Sequence, residues 1–318
     1  MTTFRPLPLL GNPHVQTVLG ALLRGKICPA PQRRHVVALP DGDALLLYEN
    51  RPDDWQPGMP VAMFVHGLTG THLSPHISRM AGVMLGRGVR VFRADLRGAG
   101  AALPLGRGSY HAGRSEDLRE ALAFLHALAP ESPLLLVGVS LGGNMALKLG
   151  GELAEHTVPG LTKIATIAPP LDLEACSRLI LQPRNHIYER RFYSDLRRDA
   201  EVRQRLFPDL PPLNLPRRLN LVQFDDLYTG PRNGFAGAVD YYRHSSAFRF
   251  VPRIPVPTLL ITARDDPFVA VEPFDLLRVP DHVRVVIADR GGHVGFLGRD
   301  GAGGFRWAER YVVEWLLG

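Results

Sequence analysis

Gly138-Val139-Ser140-Leu141-Gly142 has the form Gly-x-Ser-x-Gly. A serine hydroxyl is a weak nucleophile until a base takes its proton. A sharp strand-to-helix turn lifts the hydroxyl above the strand ends, and small neighbours let the strained backbone pass. The helix that follows aims its positive end and free N–H groups at the site. The pentapeptide alone is a weak signal. Its setting strengthens it, because Leu134 to Val137 reads as a strand and Gly143 to Gly150 as a helix. The bland alternative is a glycine-rich turn with an inert serine, and the remaining parts of the constellation count against it.

His293 lies in Gly291-Gly292-His293-Val294-Gly295-Phe296, after the apolar run Val283–Ile287. A histidine in that loop can reach the serine as general base and later protonate a leaving alkoxide. An acid that fixes the imidazole tautomer is expected between serine and histidine in the chain. Ala263-Arg264-Asp265-Asp266-Pro267-Phe268 supplies two candidates. Setting Ala263 in a glycine position that often precedes such an acid favours Asp266. Asp265 then accepts backbone N–H bonds that hold the turn. Asp172 is a distant third. The oxyanion of an acyl-transfer intermediate needs two backbone donors. Leu141 N–H, next after the nucleophile, is one. Leu68 N–H, in His66-Gly67-Leu68-Thr69-Gly70, is expected to be the other.

The elements that must hold these residues follow a regular rhythm. Short apolar runs at 61–65, 89–94, 134–137, 164–167, 258–262 and 283–287 each end in glycine, proline or charge. Such runs read as buried strands of a parallel sheet. Ser115–Leu128 reads as a helix with a capping serine and an acidic first turn. Asn144–Glu155 and Phe305–Leu317 complete the alternation of strand and helix, which predicts a doubly wound α/β sheet. Arg34–Leu39 and Ala44–Glu49, around Asp41-Gly42-Asp43, predict an antiparallel hairpin. From about 171 to 252 the rhythm breaks. This stretch is rich in Arg, Pro, Tyr and Phe, with a helix expected over Ile187–Leu206. It is expected to be a cap inserted into a single domain of residues 1–318. Asp95-Leu96-Arg97-Gly98-Ala99-Gly100 is expected to shape the wall of the site.

Other features carry blander readings. His72 and His76 have metal-like spacing, but Pro75 between them predicts a turn, not a helix presenting both. No metal or cofactor is expected. Phe235, Tyr241, Tyr242, Phe248 and Phe250 either line an acyl pocket or form the core of the cap. Cys176 is expected to be an inert buried thiol. It and Cys28 lie too far apart in the chain to suggest a disulfide framework or a zinc site. The net charge is +6, and 34 of the 37 basic residues are arginine. The arginines are scattered, whereas a nucleic-acid binder concentrates them, so no nucleic-acid partner is expected. No run approaches the length of a membrane span, and the N-terminal leucines are interrupted as in no signal peptide, so a cytoplasmic location is expected.

As a set, Asn12-Pro13-His14-Val15-Gln16-Thr17, His66–Gly70, Ser74-Pro75-His76, Asp95–Gly98, Gly138–Asn144, Asp265–Phe268 and Gly291–Phe296 resemble the YheT-like branch of the α/β-hydrolases. That branch is related to eukaryotic abhydrolase-domain proteins and to fungal medium-chain ester synthases/esterases. The resemblance spans nearly the whole chain. It implies the α/β-hydrolase fold, a Ser/Asp/His triad, and hydrolysis or transfer of acyl groups from small-molecule esters or lipids. The leading expectation is a serine esterase. An alcohol acyltransferase with the same triad, and a non-catalytic binding protein on the same fold, are the alternatives.

Overall fold

The computed structural model describes residues 3–318 apart from Arg24 and Lys26. Eight strands form one sheet in the order β1-β2-β4-β3-β5-β6-β7-β8. These are β1 (Arg33–Ala38), β2 (Ala44–Asn50), β3 (Val61–Val65), β4 (Arg90–Asp95), β5 (Leu134–Val139), β6 (Leu161–Ile167), β7 (Thr258–Ala263) and β8 (Val283–Ala288). The hairpin β1–β2 is antiparallel and pairs antiparallel with β4, while every pair from β4 through β8 is parallel. Every residue of β3, β4, β5 and β7 is buried, which explains the unbroken apolar runs of β3 and β5; in β4 the buried charges Arg90 and Arg93 are paired with Glu49 and Asn50. The edge strand β1 is mostly exposed and begins with Arg33 and Arg34, charges that discourage edge-to-edge pairing.

Helices cover both faces. On one, α3 (Ser115–Leu128) and α4 (Leu141–Glu152) set Leu118, Leu122, Leu125, Met145 and Leu149 against Met63, Leu134 and Leu136. On the other, α2 (Pro75–Leu85) and the C-terminal helix Trp307–Leu317 set Met80, Met84, Tyr311 and Val312 against Phe64, Val91 and Val137. Each fully buried Leu or Phe contributes about 1.5–3 kcal/mol.

Several expectations are corrected. Ser115 does not cap α3: Arg114 is the N-cap residue, and the Ser115 hydroxyl donates to Glu152 Oε2 at 2.6 Å, because α4 runs alongside. Helix α4 starts directly after Ser140, three residues before the expected Asn144. Among the helices that the sequence pattern did not give are α1 (Pro13–Leu22) and α2. Both begin with proline, which suits a first helical turn. Pro75 therefore starts a helix carrying His76 instead of holding a turn, while His72 lies outside it.

Between β6 and β7 the alternation stops. That segment contributes α5 (Leu173–Ile180), α6 (His186–Leu206) and the helix Ala238–Ser245. Cys176, Phe192 and Tyr241 from these three helices line the same pocket as Ser140, so the segment lies over the carboxyl ends of the strands.

Candidate functional site

Ser140 sits between β5 and α4 with φ 53° and ψ −124°. That conformation costs a non-glycine residue about 1–3 kcal/mol, so the surroundings must enforce it. They do so by close backbone contact. A Cβ on Gly138 would lie 2.4 Å from Gly142 O, and one on Gly142 would lie 2.4 Å from His66 O. Ser140 N–H donates to Ile167 O at 2.9 Å, and its carbonyl accepts from Gly143 and Asn144 at the start of α4.

His293 reaches Ser140 from the loop after β8. Its Nε2 lies 3.0 Å from Ser140 Oγ, and its Nδ1 lies 2.8 Å from Asp266 Oδ2. The Asp266 side chain is fully buried, and its other oxygen accepts from Phe268 N at 2.8 Å and Val269 N at 3.0 Å. In the tautomer that carries its proton on Nδ1, that proton points at Asp266 and Nε2 faces the serine as an acceptor. Asp265 points elsewhere: its Oδ1 accepts from Gly292 N at 2.9 Å. It thus holds the histidine loop, 27 residues away, and not its own turn. Burial and the neighbouring Asp266 charge push its carboxyl above the usual range. Asp172 caps α5, accepting from Ala175 N at 3.0 Å.

The loop after β3 comes up against the serine. A Cβ on Gly67 would lie 3.0 Å from Ser140 Cβ. Gly67 O is held by the fully buried His66 ring through Nδ1 at 2.8 Å, and Thr69 N–H donates to the Tyr110 hydroxyl at 2.7 Å. Leu68 N–H and Leu141 N–H have no acceptor among the described residues, and both residues border the pocket with Ser140 and His293. Tyr110 is a residue that sequence reasoning missed, since nothing in Ser109-Tyr110-His111 signals contact with a loop 41 residues earlier.

The pocket above Ser140 is apolar near Leu173, Ile180, Phe192, Leu196, Phe224 and Phe268. Of the five aromatic residues expected in or near it, Tyr241 and Tyr242 line it. Phe235 packs against Tyr241 and His111 from behind, and Phe250 lies beneath the Arg249 and Lys148 cations. Cys176 also lines the pocket, and burial pushes its thiol up to about 12. Gly98 of the Asp95–Gly100 turn forms part of the wall, its carbonyl accepting from buried Arg203 at 3.1 Å. Behind it Arg97 pairs with Asp117 and Asp43. His72 and His76 do not converge: His72 bonds to Asp95, and His76 to Glu309. No group of three metal-ligating side chains exists among the described residues. No helix among them is long and apolar enough to cross a membrane.

Comparison with known proteins agrees with this architecture. The chain is 33% identical over 324 residues to YheT of Escherichia coli (strain K12), a protein provisionally named an esterase, covering 98% of this chain and 92% of that one. It is 25% identical to the mouse (Mus musculus) phospholipase ABHD3, over 93% of this chain and 73% of that one. It is 27% identical to the medium-chain fatty acid ethyl ester synthase/esterase 2 of Saccharomyces cerevisiae, over 81% of this chain and 62% of that one. Among solved structures, the Pyrococcus furiosus esterase Pf2001 superposes with a TM-score of 0.58 at 18% identity, over 93% of this chain and 97% of that one. The model of the alpha/beta hydrolase fold family matches residues 60–300. With three-quarters of its length matched and its sheet order and strand-to-helix turn in place, the chain belongs to the α/β-hydrolase fold family.

Proposed function

We propose that this protein is a serine esterase that cleaves small-molecule carboxylic esters of short to medium acyl chains, or acylglycerols, through an acyl-enzyme on Ser140. The observation that carries this reading is the continuous Ser140–His293–Asp266 hydrogen-bonded chain at the floor of an apolar pocket. His293 Nε2 takes the hydroxyl proton as Ser140 Oγ attacks the ester carbonyl carbon. Asp266 stabilises the imidazolium and keeps its own charge. The tetrahedral oxyanion is met by Leu68 N–H and Leu141 N–H. His293 then gives the proton to the departing alkoxide, leaving the acyl group on Ser140. Water, deprotonated by the same imidazole, releases the acid and restores the serine. The name of the yeast relative, an ester synthase/esterase, points to the same bond type, and that of the mouse relative, a phospholipase, to hydrolysis of a lipid.

The test is fluorophosphonate labelling of wild type and Ser140→Ala, alongside turnover of p-nitrophenyl esters of rising chain length. Labelling and turnover present in wild type and absent from the variant are expected. A folded wild type that neither labels nor turns over would remove the enzyme and favour a binding role. Added ethanol separates hydrolysis from acyl transfer, because ethyl ester forms only where an alcohol competes with water for the acyl-enzyme.

A further inference from the structure

The stretch Asn12–Thr17 has no part in the chemistry above, yet it touches the loop that presents His293. That loop is conformationally expensive: Gly292, Val294 and Phe296 all take positive φ, at 57°, 59° and 40°. Left-handed backbone is unfavourable for valine and phenylalanine, so something outside the loop must hold it.

Helix α1 is what holds it. Thr17 Oγ1 donates to Pro13 O at 2.7 Å, which commits its only proton. Its lone pairs are thereby left for His293 N–H, which it accepts at 2.9 Å. Gln16 is fully buried, and its Oε1 accepts from Leu297 N at 2.6 Å. Its Nε2 donates to Leu297 O at 3.3 Å and to Leu10 O at 2.6 Å. Asn12 caps the helix, accepting from His14 N and Val15 N. The two backbones meet without side chains between them. A Cβ on Gly20 would lie 2.7 Å from Gly295 Cα, and one on Gly292 would lie 2.3 Å from Pro13 O. The same helix also touches the segment above the pocket. His14 stacks on Tyr188 of α6, with Nδ1 3.2 Å from the Tyr188 hydroxyl. Tyr188 meets Phe268 edge-on at 4.7 Å, and Phe268 lies 4.8 Å from the His293 ring.

We infer that α1 is the positioning element of His293, with Thr17 and Gln16 as the positioning residues that set the height and orientation of the imidazole over Ser140. This rests on the esterase reading for its catalytic consequence but not for its geometric one. Neither residue is among those lining the pocket above Ser140; both act through the backbone on either side of the strained turn. Displacing a reacting group by about 1 Å can cost a hundredfold in rate, so a small release of the loop is enough to matter.

The experiment compares wild type, Thr17→Val, Thr17→Ser and Gln16→Met. Hydrogen–deuterium exchange over residues 288–298 reads the loop, and kcat and KM for p-nitrophenyl butyrate read its consequence. Thr17→Val keeps the shape but leaves His293 N–H without an acceptor. It is expected to speed exchange in 288–298 but not in 134–139, and to lower kcat about tenfold to a hundredfold with KM changed less than about twofold. Thr17→Ser, which keeps the oxygen, is expected to restore both. Gln16→Met is expected to speed exchange in the same window, and it carries the comparison if Thr17→Val does not fold. Unchanged exchange and kcat in Thr17→Val, or a loss in Thr17→Ser as large as in Thr17→Val, would overturn the inference. If wild type shows no turnover, the esterase reading falls, while the exchange data still decide whether α1 holds the loop.

Discussion

Asp265 and Asp266 are one position apart and chemically identical, yet their carboxylates serve different partners. Asp266 faces His293 Nδ1 and is gripped by two backbone N–H groups, whereas Asp265 holds the amide of Gly292. Their asparagine variants should therefore diverge. Asp266→Asn presents an amide to Nδ1 and destabilises both the correct tautomer and the imidazolium, so kcat is expected to fall on the order of a thousandfold or more. Asp265→Asn keeps an oxygen for Gly292 N–H, so a loss of about tenfold or less is expected. Steady-state rates on one p-nitrophenyl ester check both. Equal losses would mean that the two acids share the work.

Among the elements, the contact between the end of β3 and the start of α4 matters most for the site, because it brings the Gly67 turn against Ser140. The contact is made by backbone, with Gly142 beneath His66 and Val65. Gly142→Ala would place a methyl 2.4 Å from His66 O and 2.7 Å from Val65 O. Neither atom belongs to a flexible side chain, so helix and strand must part. A destabilisation of about 2–3 kcal/mol is expected, with activity lost in the protein that remains folded. Gly86→Ala is the control: its nearest neighbours would lie at 3.6 Å, and its φ is −68°. A change within about 0.5 kcal/mol is expected there. Urea denaturation of the two variants checks the contrast. A Gly142→Ala protein as stable as wild type would show that the turn tolerates a wider gap.

Across the whole molecule, covering the sheet with a helical segment encloses polar groups that a bare site would leave in water. Asp225 is the clearest case. It lines the pocket, accepts from the Tyr242 hydroxyl at 2.7 Å, and is raised by burial to about 6. Because the folded state binds its proton more tightly than the unfolded chain does, ionising it weakens the fold as pH rises from about 4 to 6, and the penalty stays constant above that range. Asp225→Asn removes the penalty and keeps an acceptor for Tyr242. It is expected to be more stable than wild type at pH 8 by up to about 3 kcal/mol, with the gain shrinking below pH 6 and vanishing near pH 3. Melting temperatures of both proteins across that range check the sign. A variant less stable than wild type at pH 8 would show that the charge is compensated inside the pocket.

Much of this was readable in one dimension, because the signals are local. The apolar runs at 61–65 and 134–137 become buried parallel strands for the same reason they stand out in a sequence, since both faces are covered, whereas the run at 283–287 becomes the edge strand β8 with Arg284 exposed. The Gly-x-Ser-x-Gly turn and the glycines around His293 mark backbone that side chains would block, and steric exclusion acts on near neighbours. The order serine, aspartate, histidine follows from the order of the strands that carry them. Other features lie in contacts between distant parts of the chain. Asp266 and not Asp265 meets the imidazole because the turn after β7 orients one carboxylate inward. Ser115 loses its capping role to Glu152 on a neighbouring helix. Pro75 opens a helix because its missing N–H is needed by nothing there. Tyr110 reaches Thr69, and Thr17 reaches His293 across 276 residues. None of these leaves a mark in composition or periodicity, since each depends on which surfaces the folded sheet and its helices bring within hydrogen-bonding distance.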